Sequence, residues 1–185
     1  MIEVERVHGE LVLIESIIAQ SGDMSAATAF ASHSAKVLLL TGASYFERAI
    51  IGAIEQHVHS GTSSPLVKHF TLHQSVERKF FALFDFSADT KNINGFLSKF
   101  GPDFSQWAKE DLKTSGVSAD IQLAFLDLCR LRNSLVHNNY ATFDINKTLS
   151  EVRSDFDKAM KLVTWIESAF TRFQAQTGPT EPAAS

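Results

Sequence analysis

Apolar residues recur at three- and four-residue intervals along almost the whole chain, and that spacing restricts the fold to packed helices. Val4, Val7, Leu11, Ile14 and Ile18 mark a first helix from Ile2 to Ala19, interrupted by Ser21-Gly22-Asp23. Phe30, Val37, Leu38, Phe46, Ile50, Ile51 and Ile54 carry a long second helix from Ser25 to Val58, stopped at Ser60-Gly61. Ser64-Pro65 starts a third, because serine caps a helix and proline suits its first turn. Leu66, Phe70, Val76, Phe80, Phe81 and Phe84 follow along it. Residues 85–116 hold two short helices, one closed by Gly101-Pro102 and one around Trp107. Ser118 then caps a helix running to His137, which Asn138-Asn139 terminates. Thr148 with Glu151 forms a capping box before a last helix carrying Val152, Phe156, Met160, Val163, Ile166 and Phe170. No segment alternates polar and apolar residues as a strand does. The expected fold is all-α, an up-and-down bundle of about five main helices with short extra ones. It forms a single domain over residues 1–176, and the Pro- and Ala-rich stretch 177–185 is expected to be a disordered tail.

Composition narrows the function. A net charge of −4 leaves no broad basic surface, so any contact with nucleic acid must be local. Fifteen phenylalanines supply an aromatic core or interface. Cys129 is the only cysteine, which excludes an internal disulfide and suits a reducing compartment. The opening MIEVERVHGE has neither a basic start nor an apolar segment, as a signal peptide would. No unbroken apolar run reaches the ~20 residues of a membrane span. A cytoplasmic protein without membrane attachment is expected.

Two charges stand where apolar residues belong. On a helical wheel at about 100° per residue, Ile121, Ala124, Phe125, Leu128, Leu131, Leu135 and Val136 form one arc, and Arg132 lies within it. A guanidinium there must snorkel out, pair with an acid or face a cavity, since a lone buried charge is costly. Asn133 and His137 are four apart and share the adjoining face. His137 occupies the last turn, where the helix dipole favours a cation. Glu47 lies between Leu40 and Ile51 on the inner side of the second helix, and it is the natural acid to pair with or orient Arg132. The plain reading of Arg132 is a structural ion pair, and that of Glu47 is an acid that brackets the core and reaches water, pairing with Arg48 or with a residue on another helix. The chemical reading is that arginine holds a phosphate through two hydrogen bonds while imidazole moves the proton of a ribose hydroxyl.

With these residues, LCRLRNSLVHNNY resembles the hallmark of the HEPN superfamily (higher eukaryotes and prokaryotes nucleotide-binding domains). That hallmark is an arginine, a polar residue, three further positions and a histidine at a helix end. Here they are Arg132, Asn133 and His137. The segment LLLTGASYFERAI is similar to the glutamate-bearing helix of the branch linked to RNA-ligase and phosphatase operons, and the resemblance runs roughly from Val37 to Phe173. It implies a metal-independent endoribonuclease without cofactor, serving as a toxin or in antiviral defence. It also implies a homodimer in which two such motifs share one composite cleft, and an antitoxin or sensor protein as a further partner. Arg132 would hold the scissile phosphate of the RNA, His137 would act as general acid or base, and Asn133 would orient one of them. Some members carry a modifiable tyrosine two positions after the histidine. Tyr140 stands three positions on, so it is expected only to border the cleft. Two other readings stand beside this one: a non-catalytic module binding nucleotide, RNA or protein through the same residues, and a structural adaptor built around an Arg132–Glu47 pair.

Other constellations are weaker. His57-x-His59 and His69-x-x-x-His73 have metal-like spacing, but no acid or cysteine completes a set, and surface histidines at a turn are the simpler reading. No metal is expected. Arg78 and Lys79 beside Phe80 and Phe81 have the makings of an RNA contact, although such phenylalanines are more often core.

Overall fold

The computed structural model describes residues 1–72 and 80–177. His73, Val76, Arg78 and Lys79, the side chain of Phe81 and the tail 178–185 lie outside the described residues, so the expectations placed on them stay expectations. Among the described residues every regular element is helical.

Helix α1 (Ile2–Ser21) ends on Gly22, whose φ of 71° is the left-handed cap that glycine adopts without a Cβ penalty. One residue later Asp23 opens α2 (Met24–Gly61), its carboxylate accepting from the backbone N–H of Ser25 at 2.9 Å and Ala26 at 3.0 Å. The reversal is therefore set by two adjacent caps. Glu3 near the start of α1 pairs with Arg48 on α2, so the two helices run antiparallel. Only Val4 and Leu11 of α1 are buried, while Val12, Leu13, Ile14 and Ile17 are exposed.

α2 is the central helix, packed against α1, α7 (Ala119–His137) and α8 (Leu149–Thr177). It is long and apolar enough to cross a membrane by length and composition, which the absence of an unbroken apolar run concealed. Here its apolar face forms the middle of the bundle. Phe46 of α2, Phe125 of α7 and Phe156 of α8 meet there, with Phe46 and Phe156 stacked at 5.1 Å. Gly42 makes the contact possible, because a Cβ at that position would stand 2.8 Å from Cδ2 of Phe156. The bundle thus has four long helices, up and down in turn, with the short elements inserted between α2 and α7.

That insertion contains α3 (Pro65–Thr71), α4 (Phe80–Leu83), α5 (Asn94–Ser98) and α6 (Pro102–Thr114). Leu66 and Phe70 are exposed on α3 rather than part of the core. Farther on, the phenylalanines do what their number suggests: Phe84 stacks on Phe96 at 4.4 Å, and Phe104 stacks on Phe170 at 5.2 Å. Asp111 of α6 ties the insertion to α8, accepting from Trp165 Nε1 and Arg172 Nη2, each at 2.7 Å. Arg130 ties it to α7, donating to the carbonyls of Phe86, Ser87 and Thr90 at 2.7 to 3.1 Å.

α7 and α8 begin as their sequences indicate, with one difference. Ser118 occupies the cap position of α7, but its hydroxyl turns to the Asp120 carboxylate instead of a backbone N–H. At α8 the capping box is complete: Glu151 accepts from the Thr148 backbone N–H at 2.8 Å, and Thr148 Oγ1 accepts from the Glu151 N–H at 3.2 Å.

Candidate functional site

The C-terminal half of α7 lies antiparallel to the middle of α2, and this pairing assembles the residues singled out above. Arg132 points into the groove between the two helices. Its Nη2 lies 3.7 Å from Oε2 of Glu47, with side chains 21 % and 31 % exposed. That separation is an ion pair but longer than a hydrogen bond, so the attraction is electrostatic rather than directional. Both groups are shielded enough for the pair to matter, and open enough for Arg132 to meet a ligand.

Cys129, one turn before Arg132, is fully buried. Burial pushes its thiol well above the ordinary range, and Glu47 adds to this while Arg132 opposes it. The sulfur therefore stays protonated and is no nucleophile.

Asn133 is half-buried and His137 is exposed in the last turn. Val136, although on the apolar arc, is exposed there too. Five residues of helix rotate a side chain by about 140° and raise it by about 7.5 Å. So Arg132 faces α2 while His137 faces solvent, and one copy of α7 does not direct both at the same point. Among the described residues the His137 imidazole has no hydrogen-bond partner, which leaves both ring nitrogens open to a ligand.

Tyr140 lies on the segment leaving α7. Its ring stacks on His33 of α2, centroids 6.0 Å apart and planes 16° from parallel. Lys36 reaches it from below: Nζ donates to the Tyr140 carbonyl at 3.1 Å and sits 5.2 Å from the ring centroid. His33 and Lys36 join the site only in the folded chain. The signal for Lys36 is nevertheless present in the sequence, since it stands eleven residues before Glu47. At about 3.6 residues per turn that is three turns, on the same inward stripe.

The histidine pairs of metal-like spacing are placed differently. His57 is half-buried and stacks on Phe170 at 4.8 Å, whereas the Nδ1 of exposed His59 lies 2.8 Å from the Glu55 carbonyl within its own helix. Among the described residues no three His, Cys, Asp or Glu side chains are grouped as metal ligands would be. A cavity of 590 Å³ lies at the other end of α7 beside Asn92, Lys113, Ser118 and Gln122.

The family model described as RiboL-PSP-HEPN matches residues 9–172. This chain belongs to the RiboL-PSP-HEPN family. The RiboL-PSP-HEPN match runs from the middle of α1 into α8, so it takes in the α2–α7 groove with Lys36, Glu47, Arg132, His137 and Tyr140. Neither the curated proteins nor the solved structures contain a match to the chain. Family membership supports a ribonuclease or a nucleotide-binding module on this all-α frame.

Proposed function

We propose that this protein is a metal-independent endoribonuclease acting as a toxin or antiviral-defence effector. The observation that supports this reading best is the disposition of Arg132 and His137. A half-buried guanidinium, held at one end of a groove by Glu47, suits a phosphate. An exposed imidazole with open nitrogens, one and a half turns on, suits a ribose hydroxyl.

In this mechanism His137 accepts the proton of the 2′-hydroxyl, whose oxygen attacks the adjacent phosphorus. The bond to the 5′-oxygen breaks, and that oxygen takes a proton from an imidazolium. The products are a 2′,3′-cyclic phosphate and a 5′-hydroxyl. Arg132 carries the charge that gathers on the phosphate oxygens, and Asn133 orients the histidine or the phosphate. No step needs a metal ion, because arginine and histidine supply both charge and proton transfer. Arg132 and His137 diverge by about 140° around α7, so the complete site is built from two copies of the chain, each giving what the other lacks. An antitoxin or sensor protein would then act by covering or separating that composite cleft.

A second reading, a non-catalytic module that binds RNA or nucleotide, is favoured by the lack of any hydrogen bond to the His137 imidazole among the described residues. Purified wild-type and His137→Ala protein incubated with cellular RNA, with and without EDTA, distinguishes the two. EDTA-resistant cleavage that disappears in the variant supports the ribonuclease. RNA bound but left intact by folded wild-type protein supports the module.

A further inference from the structure

Lys36 is among the largest fully buried side chains of the protein, at 1 % exposure, in the first half of a helix whose other buried residues are apolar save Ser34 and Gly42. Burying an ammonium is costly unless it is paired. No carboxylate of the described residues pairs with it, and its hydrogen bond goes to the Tyr140 carbonyl. Leu or Met would fill the same volume without that cost, so packing does not explain the lysine.

We infer that Lys36 is a positioning residue of the proposed cleavage site: it pins the chain just past His137 to α2 and thereby fixes where the imidazole stands. This rests on the ribonuclease reading and adds a residue to it. Apart from the Tyr140–His33 stack and Phe143 packed against the core, the segment leaving α7 is shaped by its own short-range bonds. Asn138 caps the helix by bonding to the Ser134 carbonyl, and Asn139 accepts from the N–H groups of Ala141 and Phe143. The next fully buried side chain is that of Ile145. Between the end of α7 and Ile145, the Lys36–Tyr140 hydrogen bond is the polar tie to another helix among the described residues.

Its place on α2 gives the tie a further meaning. Lys36 and Glu47 occupy one stripe, about 16 Å apart along the axis. Glu47 meets Arg132 at the phosphate end of the motif, and Lys36 meets Tyr140 at the histidine end. One straight helix thus holds both ends of the motif in register. Loosening the Lys36 end leaves Arg132 in place and releases His137, so the loss falls on kcat and not on KM.

The test compares the wild-type protein with Lys36→Met, read by amide hydrogen exchange and by cleavage of an RNA that the wild type cuts. The expected result is exchange at least tenfold faster across residues 138–145, with α2 and α8 still protected. With it comes a tenfold or greater fall in kcat, a KM within twofold and a thermal midpoint no lower than that of the wild type. Unaltered exchange across 138–145, an unaltered kcat, or a raised KM at constant kcat overturns the inference. Should Lys36→Met not fold, Lys36→Gln serves instead, since it keeps an N–H donor but is one atom too short to reach the carbonyl. A wild-type protein that cuts no RNA defeats the ribonuclease reading, and the exchange data then decide the pinning contact by themselves.

Discussion

Arg132 and Glu47 face each other across the α2–α7 groove at 3.7 Å, each about three-quarters withdrawn from water. Removing the acid's charge while keeping its shape deletes this ion pair from a half-buried guanidinium. Glu47→Gln is expected to cost about 1 kcal/mol, because solvent still reaches both groups and screens the pair. It is also expected to slow RNA cleavage, since Arg132 then loses the charge that draws it toward α2. A urea titration and a cleavage assay on the same preparation check both. Wild-type cleavage by Glu47→Gln would show that the acid orients nothing.

His137 offers the opposite case. It is exposed and makes no hydrogen bond among the described residues, so its removal should change stability by less than about 0.5 kcal/mol. As the proposed proton carrier, its loss should lower cleavage by at least about 100-fold. Thermal midpoints beside initial rates give the comparison, and a folded His137→Ala that cleaves normally would end the proposed mechanism.

Gly42→Ala tests the close approach of α2 and α8. The added methyl would meet Phe156, which is fully buried and stacked on Phe46. Overpacking of this kind costs about 1–3 kcal/mol, against about 1 kcal/mol gained in helix propensity. A net loss of about 1 kcal/mol in chemical denaturation is expected, and a stabilised variant would show that the two helices part freely.

Arg130 spans three carbonyls of the loop before α5, a geometry that one planar guanidinium satisfies and an ammonium does not. Arg130→Lys is expected to lose about 2 kcal/mol, from hydrogen bonds made by a charged donor. Faster amide exchange confined to residues 84–97 would locate the effect. Retention of wild-type stability by the lysine variant would rule out the clasp.

His57 should make the fold sensitive to mild acid. Its ring is stacked on Phe170, its buried Nδ1 has no partner, and burial holds its pKa below the usual 6.5. As pH falls through 6.5 the unfolded chain takes up this proton before the folded one does, so stability declines. The decline stops once the folded imidazole is protonated too. Midpoints of wild type and His57→Leu at pH 7.5 and pH 5.5 should differ in slope, with the variant flatter. Parallel slopes would mean that His57 is not the group responsible.

Much of this protein is legible in one dimension. Helix ends are local events, so Gly22, Asp23, Thr148 and Glu151 announce the bounds of α1, α2 and α8 through bonds made within a few residues. Arg132 and Glu47 stand out for a related reason, since a charge on an apolar stripe needs a partner whatever the fold. What the sequence could not decide is which stripe meets which. Only packing shows that Leu66 and Phe70 remain in solvent, and that the apolar α2 serves as the centre of a bundle. Only packing carries Lys36 to the Tyr140 carbonyl, 104 residues away along the chain. Periodicity records which side of a helix turns inward, because that follows from bond geometry. The identity of the facing helix depends on how whole faces fit together, and that is settled by the folded chain.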